Sequence, residues 1–237
     1  MDKLPDKGDA PDLRVFTVYH DDEQISRFGL KETDVDKLFA VHKPIEGDNI
    51  NTLNLMFSEM VAMYWVWKNN VRSEWVGFQH YHDNLFDGVK NVLSCKETCV
   101  VGPMFETVMA DQYRHVFKNC SWDVFEQVLS EIYGNDNKYT RHLHENHNFY
   151  RCCSFVMPWD KFVSMCEEMF KVSEMICDKL GFGYDAWKYL AMTNGMARNR
   201  NFPYVELQDR FMAHLLERFI SAWISLHFNG ILILHRA

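Results

Sequence analysis

The sequence lacks several features that would assign it to a common class of protein. None of its apolar runs reaches the roughly 18 residues that a membrane-spanning helix requires. The closest run, FISAWISLHFNGILILHRA, is interrupted by His227, Asn229 and Gly230. The nucleotide-binding patterns GxxxxGK[ST] and GxGxxG are absent, and so are the hydrolase patterns GxSxG and HExxH. The sequence therefore predicts neither a membrane span nor these common mechanisms.

Positive charge is also scarce. The chain has 25 lysines and arginines against 33 acidic residues, which gives a formal net charge of -8 at pH 7. Broad binding to nucleic acid or to an anionic membrane requires a basic face that attracts phosphates over a distance, so the composition argues against both. A small anionic ligand is still compatible with the sequence, because one local arginine or metal ion can hold it.

The cysteines do not form a disulfide framework. There are seven, an odd number without regular spacing, and no apolar signal segment precedes them. We therefore expect reduced thiols and a cytoplasm-like compartment. The cysteines are Cys95, Cys99, Cys120, Cys152, Cys153, Cys166 and Cys177.

What is present is enough apolar sequence for one large domain. Of 237 residues, 47% are hydrophobic. Residues 1–12 are rich in Pro, Asp, Lys and Gly, and we expect a flexible leader there and a folded domain over 13–237. Strand patterns alternate with helix patterns, which predicts an α/β fold with a mostly parallel central sheet flanked by helices. Predicted strands cover 13–20, 37–42, 74–81, 98–105 and 149–157, and the main predicted helices cover 54–70, 121–133, 158–180 and 206–226.

Polar side chains stand where the predicted central strands end. In such sheets ligands bind outside the carboxyl ends of the strands, which directs attention to YHDD after the first strand and HYHDN after the third. His80 and His82 share a strand face, and Asp83 at the turn can reach the same space. Imidazole and carboxylate together suit Mn²⁺ or Mg²⁺ bridging a diphosphate. The alternative is that Asp83 forms a turn and the histidines are packed or solvated.

Other polar clusters have plainer explanations. RHLHENH (141–147) lacks a C-x-x-C arm and the HExxH spacing, so a solvated loop is a simpler interpretation than a zinc site. Asp21, Asp22 and the Gln208–Arg210 segment offer possible general bases, although exposed carboxylates usually only interact with water. On apolar helices, Glu59, Glu217 and Arg218 are expected to satisfy one another or the backbone.

The stretch GDNINTLNLMFSEMVAMYWVWKNN followed by SEWVGFQHY resembles the signature of a glycosyltransferase family from bacterial capsule and lipopolysaccharide gene clusters and from some large DNA viruses. That family typically reads G-D-N-I-S, then a Glu-bearing helix ending in Y-W-x-W-K-N, then D-Y-V-G-x-x-H-Y-R-R-Y-F. Segments NFYRCCSFVMPWDKFVSMCEEMF and RFMAHLLERFISAWI extend the resemblance over about residues 14 to 224. The matching positions are Gly47, Asp48, Asn49, Glu59, Trp65, Trp67, Lys68, Asn69, Gly77, His80, Tyr81, Arg210, Glu217 and Arg218.

The resemblance implies a GT-A-like fold and transfer of a sugar from a nucleotide-sugar donor to a glycan or glycoprotein acceptor. Where the family usually has two arginines after H-Y, this chain has His82 and Asp83. Arginines can grip a diphosphate directly, whereas this pair requires a cation. Either the chain recruits Mn²⁺ or Mg²⁺ here or it has lost efficient donor binding.

We therefore predict His82 and Asp83 as metal ligands, and Asp209, with Glu217 behind it, as the general base. The predicted nucleotide-sugar-binding residues are Thr17, Val18, Tyr19, His20, Asp48, Asn49, Lys68, His80, Tyr81 and Arg210. A module that binds nucleotide sugar or glycan without catalysis is the alternative, and a zinc hydrolase built on RHLHENH ranks last.

Overall fold

The computed structural model describes residues 12–83, 86, 89–93, 97–117, 120–151, 153–197 and 205–234. Almost all of the predicted leader, as well as Cys95 and Cys152, lies outside these residues. The strands are β1 (Leu13–Tyr19), β2 (Asp36–Ala40), β3 (Trp75–His80), β4 (Thr98–Val101), β5 (Met104–Glu106), β6 (Asn148–Tyr150), β7 (Phe155–Pro158) and β8 (Gly230–Ile233). The helices are α1 (Glu23–Phe28), α2 (Asn54–Phe57), α3 (Met60–Lys68), α4 (Met109–Val116), α5 (Ser121–Tyr133), α6 (Lys138–Glu145), α7 (Trp159–Lys179), α8 (Ala186–Ala197) and α9 (Phe211–His227).

Six strands form the central sheet in the order β2-β1-β3-β7-β4-β8. Strand β1 pairs in parallel with β2 and β3, β8 pairs in parallel with β4, and β7 is antiparallel to both of its neighbours. A separate antiparallel ribbon joins β5 and β6. The α/β fold with a mostly parallel sheet is confirmed, and the carboxyl ends of β1, β2 and β3 share one edge.

The two faces of the sheet bury different apolar clusters, as the pleat requires. Val15 and Trp75 belong to one cluster, while Val18 and Phe78 belong to the larger cluster that also contains the helix side chains. Continuing this alternation past Val18 and Phe78 places His20 and His80 on the side of the larger cluster. Thr17 and Gln79 therefore face the opposite side.

Gly77 sits at the crowded centre of β3. A Cβ atom added there would lie 2.6 Å from Val156 Cγ2 and 2.9 Å from the carbonyl oxygen of Phe155 on β7. Only glycine allows these two strands to approach so closely.

Several predicted elements differ in the structure. The predicted strand over 98–105 is two strands, β4 in the central sheet and β5 in the separate ribbon. The predicted helix over 54–70 is broken between α2 and α3, because Ser58 adopts φ 49° and ψ -126° and cannot continue a helix. The predicted strand over 149–157 is two strands, β6 and β7, separated by a turn in which Cys153 has φ 49°. The RHLHENH segment, expected as a loop, is largely within α6.

Helix α9 runs through the larger core cluster and is followed by the edge strand β8, as expected for a core helix with a short terminal strand. Within the described ranges, no helix is both long and apolar enough to cross a membrane.

Candidate functional site

A carboxylate flanked by two imidazoles lies at the carboxyl edge of the sheet. Glu59 Oε1 is 3.1 Å from His80 Nε2 and 3.4 Å from His20 Nε2. The side chains are largely withdrawn from solvent, with 13% of Glu59, 14% of His80 and 21% of His20 exposed. We call these three residues the His-Glu-His cluster.

The fold brings the His-Glu-His cluster together from three separate segments. His80 ends β3, opposite Val18 in the parallel ladder, and His20 follows β1 directly. Glu59 stands at the start of α3, just after Ser58 with its positive φ. A continuous helix over 54–68 would not place Glu59 in this position, so the break re-aims its carboxylate toward the strand ends.

The environment of Glu59 favours its ionised form. Burial raises the pKa of its carboxyl group, but the close polar contacts of His20, His80 and Ser58 and the charge of His80 outweigh burial, so the pKa lies well below its ordinary value of 4.5. The cluster therefore holds a buried negative charge between two nitrogen ligands. Among the described residues, it is the group of three metal-ligating side chains whose ligand atoms all lie within 4.8 Å of one another.

The predicted metal ligands His82 and Asp83 lie beside this cluster. His82 Nδ1 is 3.0 Å from Asp83 Oδ1, and the Asp83 side chain is buried. The His82 ring centroid is 4.1 Å from that of His80. The backbone N–H of Asp83 donates to the carbonyl of His80 at 2.8 Å, which forms a tight turn after β3.

An open cleft of about 310 Å³ covers the opposite face of the same strand ends. Its floor is formed by Thr17 and Gln79, whose side chains are joined by a 2.9 Å hydrogen bond from Gln79 Nε2 to Thr17 Oγ1. Phe28 and Tyr81 pack edge to face with ring centroids 5.0 Å apart. The cleft is also lined by Gly29, Leu30, Lys31, Thr33, Asp36, Leu38, His82 and Asp83.

A smaller cavity of about 130 Å³ adjoins the His-Glu-His cluster on the helical side. The guanidinium of Arg210 lies there and donates to Ser58 Oγ at 2.6 Å. Glu217 also lines this cavity, and its carboxylate is 3.3 Å from Arg218 Nη1. The remaining lining residues are Met60, Cys153, Ala213 and His214.

Several predicted nucleotide-binding residues lie at these strand ends. Thr17 and Tyr81 line the cleft, and His20 and His80 belong to the His-Glu-His cluster. Val18 supplies only its backbone carbonyl, which accepts from the N–H of Tyr81 at 3.0 Å, because its side chain is in the core. Tyr19 is buried against the ring of His42.

Asp48, Asn49 and Lys68 have structural contacts elsewhere. The Asn69 side chain accepts from the N–H of Asp48 at 3.0 Å and donates to its carbonyl at 2.8 Å. Asn49 Nδ2 donates to the carbonyls of Ile45 and Gly47 within its own loop. Lys68 Nζ lies 3.7 Å from the centre of the Trp67 ring, which stacks on Phe170 of α7.

The G-D-N loop and the W-K-N helix end thus form one structural unit. Trp65 Nε1 donates to the carbonyl of Glu46 at 2.7 Å. Gly47 has φ 83°, and a Cβ atom there would lie 2.1 Å from Asn69 Oδ1. These signature positions fix a loop, which explains their spacing without a ligand contact.

The two predicted general bases occupy different surroundings. Glu217 lines the small cavity together with Glu59, His80 and Arg210. Asp209 is part-buried in the turn before α9 and is one of the charges that, after burial, raise the pKa of Tyr189 in α8. The structure therefore brings Glu217, and not Asp209, to the wall of this cavity.

The RHLHENH histidines do not gather in the described part of the chain. His144 pairs with Glu126 of α5, while burial lowers the pKa of His142. His147 follows α6 and is exposed. Since no three of them form a metal-ligand group among the described residues, the arrangement gives no support to a zinc hydrolase.

The partnership of Glu59 with His20 is the feature that sequence reasoning missed. Glu59 was expected to be structural, although a glutamate within an apolar helix requires a polar partner. His20 and His80 lie at the ends of two strands of the predicted, mostly parallel sheet. The need of Glu59 for a polar partner, taken together with the pairing of these strands, could have indicated the cluster.

The sequence profile of a family described as "Domain of unknown function (DUF4422)" matches residues 29–228. This span is well over half of the 237 residues, and the chain belongs to that family. No curated protein matches the sequence. A similar solved structure is the apo structure of WbbM, described as a bifunctional glycosyltransferase, with a TM-score of 0.66 and 15% sequence identity.

The similarity to WbbM covers 94% of this chain and 44% of the WbbM chain, so this protein spans less than half of that structure. At this identity the likeness concerns the fold. The GT-A-like α/β fold expected from the sequence is confirmed.

Proposed function

We propose that the protein is a glycosyltransferase that moves a hexosyl or pentosyl group from a nucleotide-sugar donor to a glycan or glycoprotein acceptor. The observation that carries this proposal is the position of the cleft. It opens at the carboxyl ends of three parallel strands, where α/β folds bind their ligands, and it borders a group of imidazoles and carboxylates. The GT-A-like fold, which WbbM shares, supports the same reaction class.

The donor nucleotide is assigned to the cleft. A volume of about 310 Å³ is at the lower end of the range for small-molecule sites and suits the nucleoside part of the donor. The rings of Phe28 and Tyr81 offer an aromatic wall for a base, while Thr17 and Gln79 offer polar contacts from the floor. Lys31 provides a positive charge at the rim.

The diphosphate and its cation belong at the edge between the cleft and the His-Glu-His cluster. His82 and Asp83 supply one nitrogen and one oxygen, 3.0 Å apart, which suits a Mn²⁺ or Mg²⁺ ion that takes its remaining ligands from phosphate and water. When bound, such a cation offsets the charge that develops on the leaving diphosphate.

For an inverting reaction, we assign the general base to Glu217 ahead of Asp209. Glu217 lines the small cavity on the side of the His-Glu-His cluster away from the cleft, where an acceptor hydroxyl can approach. Its contacts with Arg218 and His214 hold the carboxylate in place. The expected consequence is that Glu217→Gln abolishes transfer but leaves donor binding intact, whereas Asp209→Asn retains transfer.

Thermal-shift measurements with a panel of nucleotide sugars, each with and without Mn²⁺, test donor binding. A radiolabel transfer assay with the stabilising donors and oligosaccharide acceptors then tests catalysis. Stabilisation together with a labelled product supports the proposal. Stabilisation without product for any acceptor identifies a binding module instead, and no stabilisation by any donor refutes both.

Because nucleotide sugars are made mainly in the cytoplasm, we propose that location for the protein.

A further inference from the structure

We propose that His20, Glu59 and His80 form a binding site for a divalent transition metal of the Zn²⁺ and Mn²⁺ class. This site is distinct from the His82–Asp83 pair. The inference deepens the proposed function and rests on it only for the role of the metal, since metal binding itself requires no donor.

The two distances from Glu59 Oε1 to the imidazole nitrogens match the edges of a coordination polyhedron, and all three ligand atoms lie within 4.8 Å of one another. Metal bonds of about 2.0–2.1 Å arranged tetrahedrally separate adjacent ligand atoms by roughly 3.3–3.4 Å, and an octahedral arrangement separates them by about 2.9 Å. Glu59 Oε1 lies 3.1 Å from His80 Nε2 and 3.4 Å from His20 Nε2. A metal ion can therefore be accommodated with small shifts of the three side chains.

The surrounding backbone holds the three ligands in place. The N–H of His20 donates to Gln24 Oε1 at 2.8 Å, and the carbonyl of His80 accepts from the N–H of Asp83. Glu59 follows Ser58, whose positive φ of 49° is strained in a residue with a side chain. Such strain persists where the surrounding structure requires it, and here it directs a carboxylate between two imidazoles.

The ligand types select the class of metal. Two imidazoles and one carboxylate suit Zn²⁺, Mn²⁺ and related ions, whereas Mg²⁺ and Ca²⁺ prefer oxygen ligands. Three protein ligands also leave at least one coordination position open, as catalytic metal sites do. The His82 ring, 4.1 Å from that of His80, lies toward the cleft, so an open position on that side can receive a phosphate oxygen of the donor.

Positive charge near the cluster comes from Arg210 in the small cavity, whose guanidinium donates to Ser58 Oγ. Glu217 and His214 line the same cavity, so Arg210 has a second carboxylate nearby. The charged or titratable groups closest to Glu59 are therefore two imidazoles. A carboxylate beside two imidazoles is a set of ligands that can bind a metal.

The test uses the full-length protein, freed of any histidine tag and treated with chelator. Zn²⁺, Mn²⁺ and Mg²⁺ are titrated separately by calorimetry in the absence of donor, and bound metal is counted by elemental analysis after desalting. We expect saturable binding of one equivalent of Zn²⁺ or Mn²⁺, with Mg²⁺ much weaker. Glu59→Gln and His80→Ala should each weaken Zn²⁺ binding at least about 100-fold, since each removes a ligand.

Two control variants locate the site. His115→Ala and His147→Ala each remove an exposed histidine outside the cluster and should bind Zn²⁺ as the wild type does, whereas Asp83→Asn tests whether the neighbouring pair holds the metal instead. If Glu59→Gln fails to fold by circular dichroism, His20→Ala replaces it, because that side chain is the most exposed of the three. No saturable binding, unchanged binding in the cluster variants, or loss in Asp83→Asn alone would overturn the proposal. Transfer activity does not enter these readouts, so failure of the metal site and failure of the glycosyltransferase proposal are distinguishable.

Discussion

Glu59 and Glu168 are both part-buried carboxylates, yet their partners differ in kind. Glu168 in α7 accepts hydrogen bonds from Tyr133 and Tyr139 at 2.5 and 2.8 Å and from Trp223 Nε1 at 3.0 Å. These partners come from α5, α6 and α9, so one carboxylate joins four helices. Glu59 contacts two histidines instead.

The partners of the two glutamates differ in whether they can release a proton and bind a metal ion. An indole N–H only donates, and burial, with the charge of Glu168 adding to it, raises the pKa values of both tyrosines, which keeps them protonated. The Glu168 network is therefore a fixed structural connection. Imidazole nitrogens can give up their protons and bind a metal ion, so the same carboxylate chemistry at Glu59 can serve a reaction.

The largest predicted effect is a difference in the rate of sugar transfer between variants of the two glutamates. We expect Glu59→Gln to lower the rate of sugar transfer at least about 100-fold, because it removes the charge of the cluster beside the donor diphosphate. Glu168→Gln should retain nearly all activity per folded molecule. Steady-state rates with an active donor, normalised to folded protein, provide the measurement, and equal losses in the two variants would contradict the distinction.

The loss of stability should be larger for Glu168→Gln than for Glu59→Gln. Glu168→Gln disrupts hydrogen bonds from buried donors on three helices, and we expect the free energy of unfolding to fall by about 2 kcal/mol. Glu59→Gln should cost less than half as much, because a neutral imidazole nitrogen can accept from the new amide, whereas the tyrosine and indole donors around Glu168 lose their acceptor. Urea unfolding of both variants at neutral pH, without added metal, measures this; a larger loss for Glu59→Gln would make that cluster the structural one.

The pH dependence of stability should sharpen the role of Glu168. Burial raises the pKa of its carboxyl group, but hydrogen bonds from Tyr133, Trp223 and Tyr139, with the charge of His227, lower it below the ordinary value of 4.5. Its stabilising contribution is therefore complete above that value and is lost as the pH falls through the folded-state pKa. Urea unfolding down to about pH 3 should show the difference between wild type and Glu168→Gln shrinking. A constant difference would mean that the pKa is not lowered.

The smallest predicted effect lies on the cleft face, away from both glutamates. Thr17→Val removes the acceptor for Gln79 Nε2, and we expect donor affinity to fall about 5-fold, the equivalent of about 1 kcal/mol. Zn²⁺ binding should not change. Calorimetry with donor and with metal measures both quantities in one variant, and a loss of metal binding would show that the two faces are not independent.

Much of the architecture could be predicted from pattern alone. Apolar runs ending in polar residues located β1, β2, β3 and β4, and helical periodicity located α5, α7 and α9. The helices α1, α4, α6 and α8 were not predicted, and α1 buries no residue, so it has no apolar stripe to indicate it. Similarly, the continuous apolar run over 54–70 gave no sign that Ser58 would adopt a positive φ.

The candidate site was predictable in part. Strand topology directed attention to the end of β3, where His80, His82 and Asp83 lie together, and their role in binding stays a prediction. Signature residues such as Asp48, Asn49 and Lys68 were assigned to the donor, whereas the structure places them in loop and helix contacts. Sequence spacing cannot separate these cases, because a residue that fixes a loop and a residue that binds a ligand leave the same pattern.

The two faces of the sheet edge should have separate tasks, with metal bound on one and the nucleoside on the other. A crystal soaked with Mn²⁺ and a nucleoside diphosphate, measured with anomalous scattering, tests this directly. We predict a Mn²⁺ peak about 2.1–2.2 Å from Glu59 Oε1 and the two imidazoles, with the nucleoside in the cleft above Thr17 and Gln79. A peak only at His82 and Asp83, or a nucleoside outside the cleft, would contradict the account.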